Sequence, residues 1–158
     1  YGILIYNRLV SLKNQALAAW SDIDVQLKRR HDLIPKLIDA VRQYSAYEQA
    51  TLSAVTELRV QSDLIRDPEE KGRLESSLGR ELHKLIAVAE AYPDLKADQN
   101  FLSLQQDISE VEKDIQHARR YYNGAIRLLN TRIDSFPDLL VARLFGFRHG
   151  HYFQIEEE

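Results

Sequence analysis

From Leu9 to Val41 apolar side chains recur at steps of three and four residues: Leu9, Leu12, Ala16, Trp20, Ile23, Leu27, Ile34, Ile38 and Val41. That spacing lays a single stripe along an α-helix. The stripe is interrupted once. After Leu27 the next step lands on Arg30 or His31, inside the charged run Lys28-Arg29-Arg30-His31-Asp32. Pro35 follows closely; it has no N–H to give to the carbonyl of His31, and its ring crowds that carbonyl. A charged gap and a proline in an otherwise regular core stripe mark a functional or strained place.

Beyond the proline the stripe resumes through Leu37, Ile38, Val41, Tyr44, Leu52, Val55 and Leu58, which predicts one first helix reaching about Ile65, kinked at Pro35. A full break is the alternative, although Lys36 to Val41 carries no turn chemistry. Asp67-Pro68-Glu69-Glu70 is a helix start, with Asp67 as N-cap and Pro68 at the first position. The second helix runs to about Ala91, with Leu74, Leu78, Leu82, Leu85 and Ala89 inward, and Tyr92-Pro93 ends it. From about Asp98 to Asp134 the third helix shows a heptad-like seam: Phe101, Leu104, Ile108, Val111, Ile115, Ala118, Tyr122, Leu129 and Ile133, with Ala125 and Ile126 filling one longer step. After Pro137, Asp138 to Phe145 is a short fourth helix closed by Gly146. The expected fold is all-α: an antiparallel bundle of three long helices plus a short C-terminal helix.

A chain of 158 residues with 44% hydrophobic and 28% charged residues can bury one domain's core. Its net charge of −3 leaves little material for a basic face, so no nucleic-acid partner is expected. No cysteine occurs, which removes disulfides and thiolate metal sites.

Chemistry is sparse. Di-metal bundles use inward Glu-x-x-His pairs; the nearest pattern here is a single Asp114-x-x-His117, read as a solvated face. His149-Gly150-His151 is read as surface histidines. There is no Gly-x-Ser-x-Gly elbow and no phosphate-cradling glycine loop. No catalytic residue, metal or cofactor is expected. Lys28-Arg29-Arg30 could touch phosphate; the simpler reading is a structural polar layer of Arg30 and His31 beside Pro35, answered by acids such as Glu90 or Asp94. Trp20 is read as core. Tyr1 to Tyr6 (YGILIY) fits either the frayed start of the first helix or the last turns of a transmembrane helix, with Tyr6 at the interface and Arg8 beyond it.

The stretches AWSDIDVQLKRRHDLIPKLI, EAYPDLKADQNFLSLQ, RRYYNGAI and FPDLLVARLFGF make this chain similar to the LemA family of bacterial proteins, from about Tyr6 to Phe153. The resemblance implies a mostly helical domain behind one N-terminal membrane helix, and it implies no reaction. With it, residues 1–7 read as the end of a membrane helix, 8–147 as the bundle domain and 148–158 as a loosely ordered tail.

The expected function is a membrane-tethered scaffold or adaptor that binds proteins and associates with itself; the alternative is a helical-bundle enzyme or metal-dependent accessory protein. Partners would be the bilayer, further copies and other membrane proteins. Arg8 and Lys13, with no acid before Asp22, favour a cytoplasmic domain. A first helix of roughly 87 Å would outrun its neighbours, leaving Leu9, Leu12, Ala16 and Trp20 as the interface between copies.

Overall fold

The computed structural model describes residues 1–43 and 49–155. The helices are α1 (Gly2–Arg42), α2 (Gln49–Leu64), α3 (Pro68–Ala87), the short α4 (Pro93–Lys96), α5 (Gln99–Asp134) and α6 (Asp138–Leu144), with a 3₁₀ turn at Val88–Ala91. No strand occurs among the described residues. The all-α bundle expected from the apolar periodicity is the fold observed.

One boundary differs. The first helix does not continue to Ile65: α1 ends at Arg42 and α2 runs back antiparallel to it. The proof is a contact of 2.8 Å between His31 Nδ1 and Asp63 Oδ1, residues that a single straight helix would hold about 48 Å apart. The reversal gives the second part of the stripe a partner, because Leu52 and Val55 pack with Leu37, Ile38 and Val41. Periodicity alone is blind to it, since a helix and a helix that folds back share one repeat. Tyr44 lies outside the described residues. Helix α1 passes through Pro35 without interruption.

The local signals hold elsewhere. Asp67 caps α3, accepting from the Glu70 N–H at 3.1 Å, with Pro68 opening the helix. Asp98 caps α5 through the Phe101 N–H at 2.9 Å. Gly146, at φ 72°, takes the left-handed conformation that closes the α6 turn.

Helix α5 lies antiparallel along nearly all of α1, at about 54 Å against about 61 Å by helical rise. The α2–α3 hairpin covers only the far half. The core is therefore built in three zones. Ile5, Leu9, Leu129, Ile133 and Ala142 close the near end. Ala16, Ala19, Ile23 and Leu27 meet Val111, Ile115 and Ile126 in the middle. Ile34, Leu37 and Val41 meet Leu52, Val55, Leu78, Leu82 and Phe101 at the far end.

The tail departs from expectation. Residues 148–155 are tied along α5 rather than loose. The Asn123 side chain accepts from the Phe153 N–H (2.9 Å) and donates to its carbonyl (2.8 Å). Two helical turns on, Asn130 does the same with Gly150, at 2.8 and 3.2 Å. Two amides thus stand in for the ladder an extended segment needs. Phe153 is fully buried and stacks edge-on against Trp20, their centroids 5.7 Å apart.

Gly72 admits the tail on its other side, since a Cβ there would stand 2.3 Å from the Gln154 carbonyl oxygen. Gly72→Ala is expected to cost about 1–3 kcal/mol through that clash and, by releasing the tail from its seat, to speed tryptic cleavage after the exposed Arg148. Thermal melting with limited proteolysis checks both, and a tail equally protected in the variant would refute this seating.

Candidate functional site

The gap in the α1 stripe is filled by charge. Arg30 and His31 are both buried, and α3 sends Glu75 between them. One Glu75 oxygen accepts from His31 Nε2 at 2.5 Å and from the Ser62 hydroxyl at 2.6 Å. The other accepts from Arg30 Nη2, which also donates to the Glu75 backbone carbonyl at 2.8 Å. His31 Nδ1 meets Asp63, whose side chain reaches the surface. A carboxylate on each ring nitrogen calls for a proton on each. Two cations then face two anions in a closed layer between the middle and far zones of the core.

The charges explain the carboxyl. Burial by itself would raise Glu75, but the His31 hydrogen bond, the Arg30 and His31 charges and the Ser62 hydroxyl together outweigh it, holding Glu75 at about 2. Such a layer fixes register more than it adds stability, because desolvating Arg30, His31 and Glu75 offsets most of their attraction.

Beside the layer a cleft of about 410 Å³ opens between α3 and α5, with Arg30 in its lining. Gly79, Arg80 and His83 come from α3; Lys113, Gln116 and Arg120 come from α5. Glu112 stands 3.2 Å from His83. The Arg30 Nε and the Gln116 Oε1 are buried without hydrogen-bond partners. A Cβ at Gly79 would sit 3.4 Å from Arg30 Nη1, in ordinary van der Waals contact.

A second cluster joins the tail to α3. Ligand atoms of Asp67, Glu69 and His151 lie within 4.8 Å of one another at the surface. His151 Nδ1 bonds Asp67 at 2.7 Å. That bond lowers the Asp67 carboxyl and raises the His151 imidazole. Asp67 is already engaged as the α3 cap.

Arg30 and His31 thus form the expected polar layer, but the expected partners do not reach it. Glu90 pairs with Lys96 at the surface and Asp94 is exposed. The reversal after α1 delivers Ser62, Asp63 and Glu75 instead. Their signal was present: stepping back from Leu82 and Leu78 along α3 lands on Glu75 and Lys71, polar residues at core positions, and both are buried. Leu74, read as inward, is only half-buried. Pro35 is exposed one turn beyond His31.

The residues assigned to an interface between copies need correction. Leu9 is 0% and Ala16 5% exposed within this chain, and Leu12 and Trp20 pack against the same cores. The α5 helix, α6 and the tail cover the stretch thought open. Asp114 takes a surface ion pair with Arg29 at 3.1 Å, while His117 faces the cleft.

An all-helical bundle with a buried charge layer of Arg30, His31 and Glu75 is the class these features define. The LemA family model matches residues 19–158, and this chain belongs to the LemA family. Protein LemA of Metamycoplasma hominis is 30% identical over 152 residues, covering 96% of this chain and 69% of that protein. Magnetosome protein MamQ 2 of Paramagnetospirillum magneticum is 22% identical, and Magnetosome protein MamQ of Magnetospirillum gryphiswaldense 21%. The chain spans 65% of the length of each of these two.

Proposed function

We propose that this domain is a non-catalytic binding module held at a membrane, a helical scaffold whose near end faces the bilayer. The observation that carries the reading is the apolar character of that end. Ile3 and Leu4 are 74% and 72% exposed, and Phe136, Leu140, Leu144 and Phe145 are exposed around α6. Tyr6 ties the two groups together, its ring 4.8 Å from Phe145 and 5.9 Å from Phe147.

Charge agrees. No acid occurs in residues 1–21 or 139–155, where Arg8, Lys13, Arg143 and Arg148 are exposed. The nearby acids are engaged, Asp134 by His149 and Asp138 by Arg132. Apolar side chains ringed by cations suit an anionic bilayer surface, and by the positive-inside tendency its cytoplasmic leaflet. No helix among the described residues is long and apolar enough to cross a membrane, and this end is read as lying against the bilayer. The relatives named as magnetosome proteins fit a membrane setting. Association between copies belongs to the same proposal, through faces other than the buried α1 stripe, and other membrane proteins are its further partners.

The chain is expected to co-sediment with phosphatidylserine-containing vesicles. Leu140→Asp combined with Leu144→Asp is expected to weaken this by about tenfold or more, since each leucine contributes about 1.5–3 kcal/mol when buried. Equal binding by the double variant would sink the membrane-facing assignment.

A further inference from the structure

We propose that Asp67, Glu69 and His151 form a binding site for one divalent transition ion of the Zn²⁺ kind, which staples the C-terminal tail to the start of α3. His151 lies 84 residues from Asp67 in sequence, yet one ligand atom from each of the three side chains lies within 4.8 Å of the others. An imidazole nitrogen with two carboxylate oxygens is a donor set that Zn²⁺ takes readily, whereas Ca²⁺ and Mg²⁺ favour oxygen alone. The two carboxylates match the ion's two charges. Glu70 beside them offsets the roughly half positive charge of the α3 N-terminus.

What separates this cluster from a chance surface pair is that both of its halves are held in place without an ion. Asp67 divides its two oxygens. Oδ2 accepts from the Glu70 N–H at 3.1 Å as the α3 cap, and Oδ1 faces His151 Nδ1 at 2.7 Å. The tail is fixed on both sides of the imidazole. Asn130 grips Gly150 through both atoms of its amide, and the Tyr122 hydroxyl donates to the His151 carbonyl at 2.8 Å. Gly150 also lies so close on Ile126 that a Cβ there would stand 2.5 Å from the Ile126 Cδ1. Glu69 is exposed, so its carboxylate can turn onto the ion without disturbing the core. An ion in place of the proton between Asp67 and His151 would part them to roughly 3.3 Å, the ligand spacing of a tetrahedron with bonds of about 2.0–2.2 Å. Starting from 2.7 Å, that is a small adjustment for two exposed side-chain ends. Three protein ligands leave a fourth position to water. An exposed ion pair alone adds little stability; an ion shared by three ligands ties the tail to α3 as Asn123 and Asn130 tie it to α5. The site makes no use of the apolar near end and does not depend on the membrane reading.

Isothermal titration of the untagged full chain with Zn²⁺ tests the assignment. One saturable site per chain is expected, and no saturable binding of Mg²⁺. His151→Ala and Glu69→Gln are each expected to weaken Zn²⁺ binding by roughly tenfold or more, since losing even a group that supports a ligand costs about that much. Both positions are exposed, and both variants keep the Asp67 cap. His149→Ala, whose imidazole pairs with Asp134 outside the cluster, is expected to leave binding within about twofold. Zn²⁺ is also expected to slow tryptic cleavage after Arg148 in the wild type and to leave the rate in His151→Ala unchanged. Absence of saturable Zn²⁺ binding would overturn the proposal, as would undiminished binding by Glu69→Gln or equal binding of Mg²⁺. A loss in His149→Ala as large as in His151→Ala would move the ion to the two tail histidines, and wild-type cleavage indifferent to Zn²⁺ would remove the staple.

Discussion

Glu75→Leu is expected to destabilise the domain by about 3–5 kcal/mol, although it replaces a buried polar side chain by an apolar one of similar size. The loss arises because Arg30 stays behind, buried with no carboxylate, while His31 keeps only the half-exposed Asp63. Replacing all three at once, with Arg30→Met and His31→Leu added, is expected to restore stability to the wild-type level or above it. Urea denaturation measures both, and a single variant as stable as wild type would show that the layer is not closed.

Glu75→Gln adds a pH dimension. The folded carboxyl sits at about 2 against an ordinary 4.5. A depressed carboxyl contributes its stabilisation fully above 4.5 and loses it as the pH falls from there toward 2. The stability difference between wild type and Glu75→Gln should therefore shrink across that interval and be constant above it.

Leu9→Asp is expected to undo the near end of the molecule. Leu9 is fully buried among Ile5, Leu129, Ile133 and Ala142, and an unpaired carboxylate there costs several kcal/mol. The expected result is a lower melting temperature with α6 and the first turns of α1 released, read by circular dichroism and hydrogen exchange. Leu17→Asp, at a 56% exposed position on the same helix, should change stability by no more than about 0.5 kcal/mol. Were Leu9→Asp instead to leave the monomer intact and only change the mass measured by light scattering, the residue would belong to an interface between copies.

The contrast between these two leucines shows what the sequence could and could not disclose. The seam of α5 was legible from Phe101 to Ile133, because each inward residue is announced by its neighbours three or four positions away. The cap at Asp67 was legible for the same reason: cap and helix are adjacent in the chain. The reversal after Arg42 was not, since Leu52 and Val55 keep the helical period whether α2 extends α1 or returns beside it. From that one ambiguity followed the excess length of the first helix, the open face assigned to Leu9 and Ala16, and the wrong acids for Arg30 and His31. The tail escaped for another reason. Asn123 and Asn130 look like surface amides, and only the meeting of chain segments about 20 to 30 residues apart turns them into its anchors.

The uneven reach of the helices sets a height. Only α1 and α5 run from the near end to the charge layer, and the rise along α1 from Ile5 to Arg30 is about 37 Å. With the first turn at a bilayer, the cleft would stand several screening lengths above the headgroups, the screening length being about 8 Å at physiological ionic strength. A solute arriving there would meet the cleft in bulk solution, beyond the reach of the surface potential below. The near half of the molecule is in that sense a stalk, and what it lifts clear of the lipid is the charge layer with its cleft.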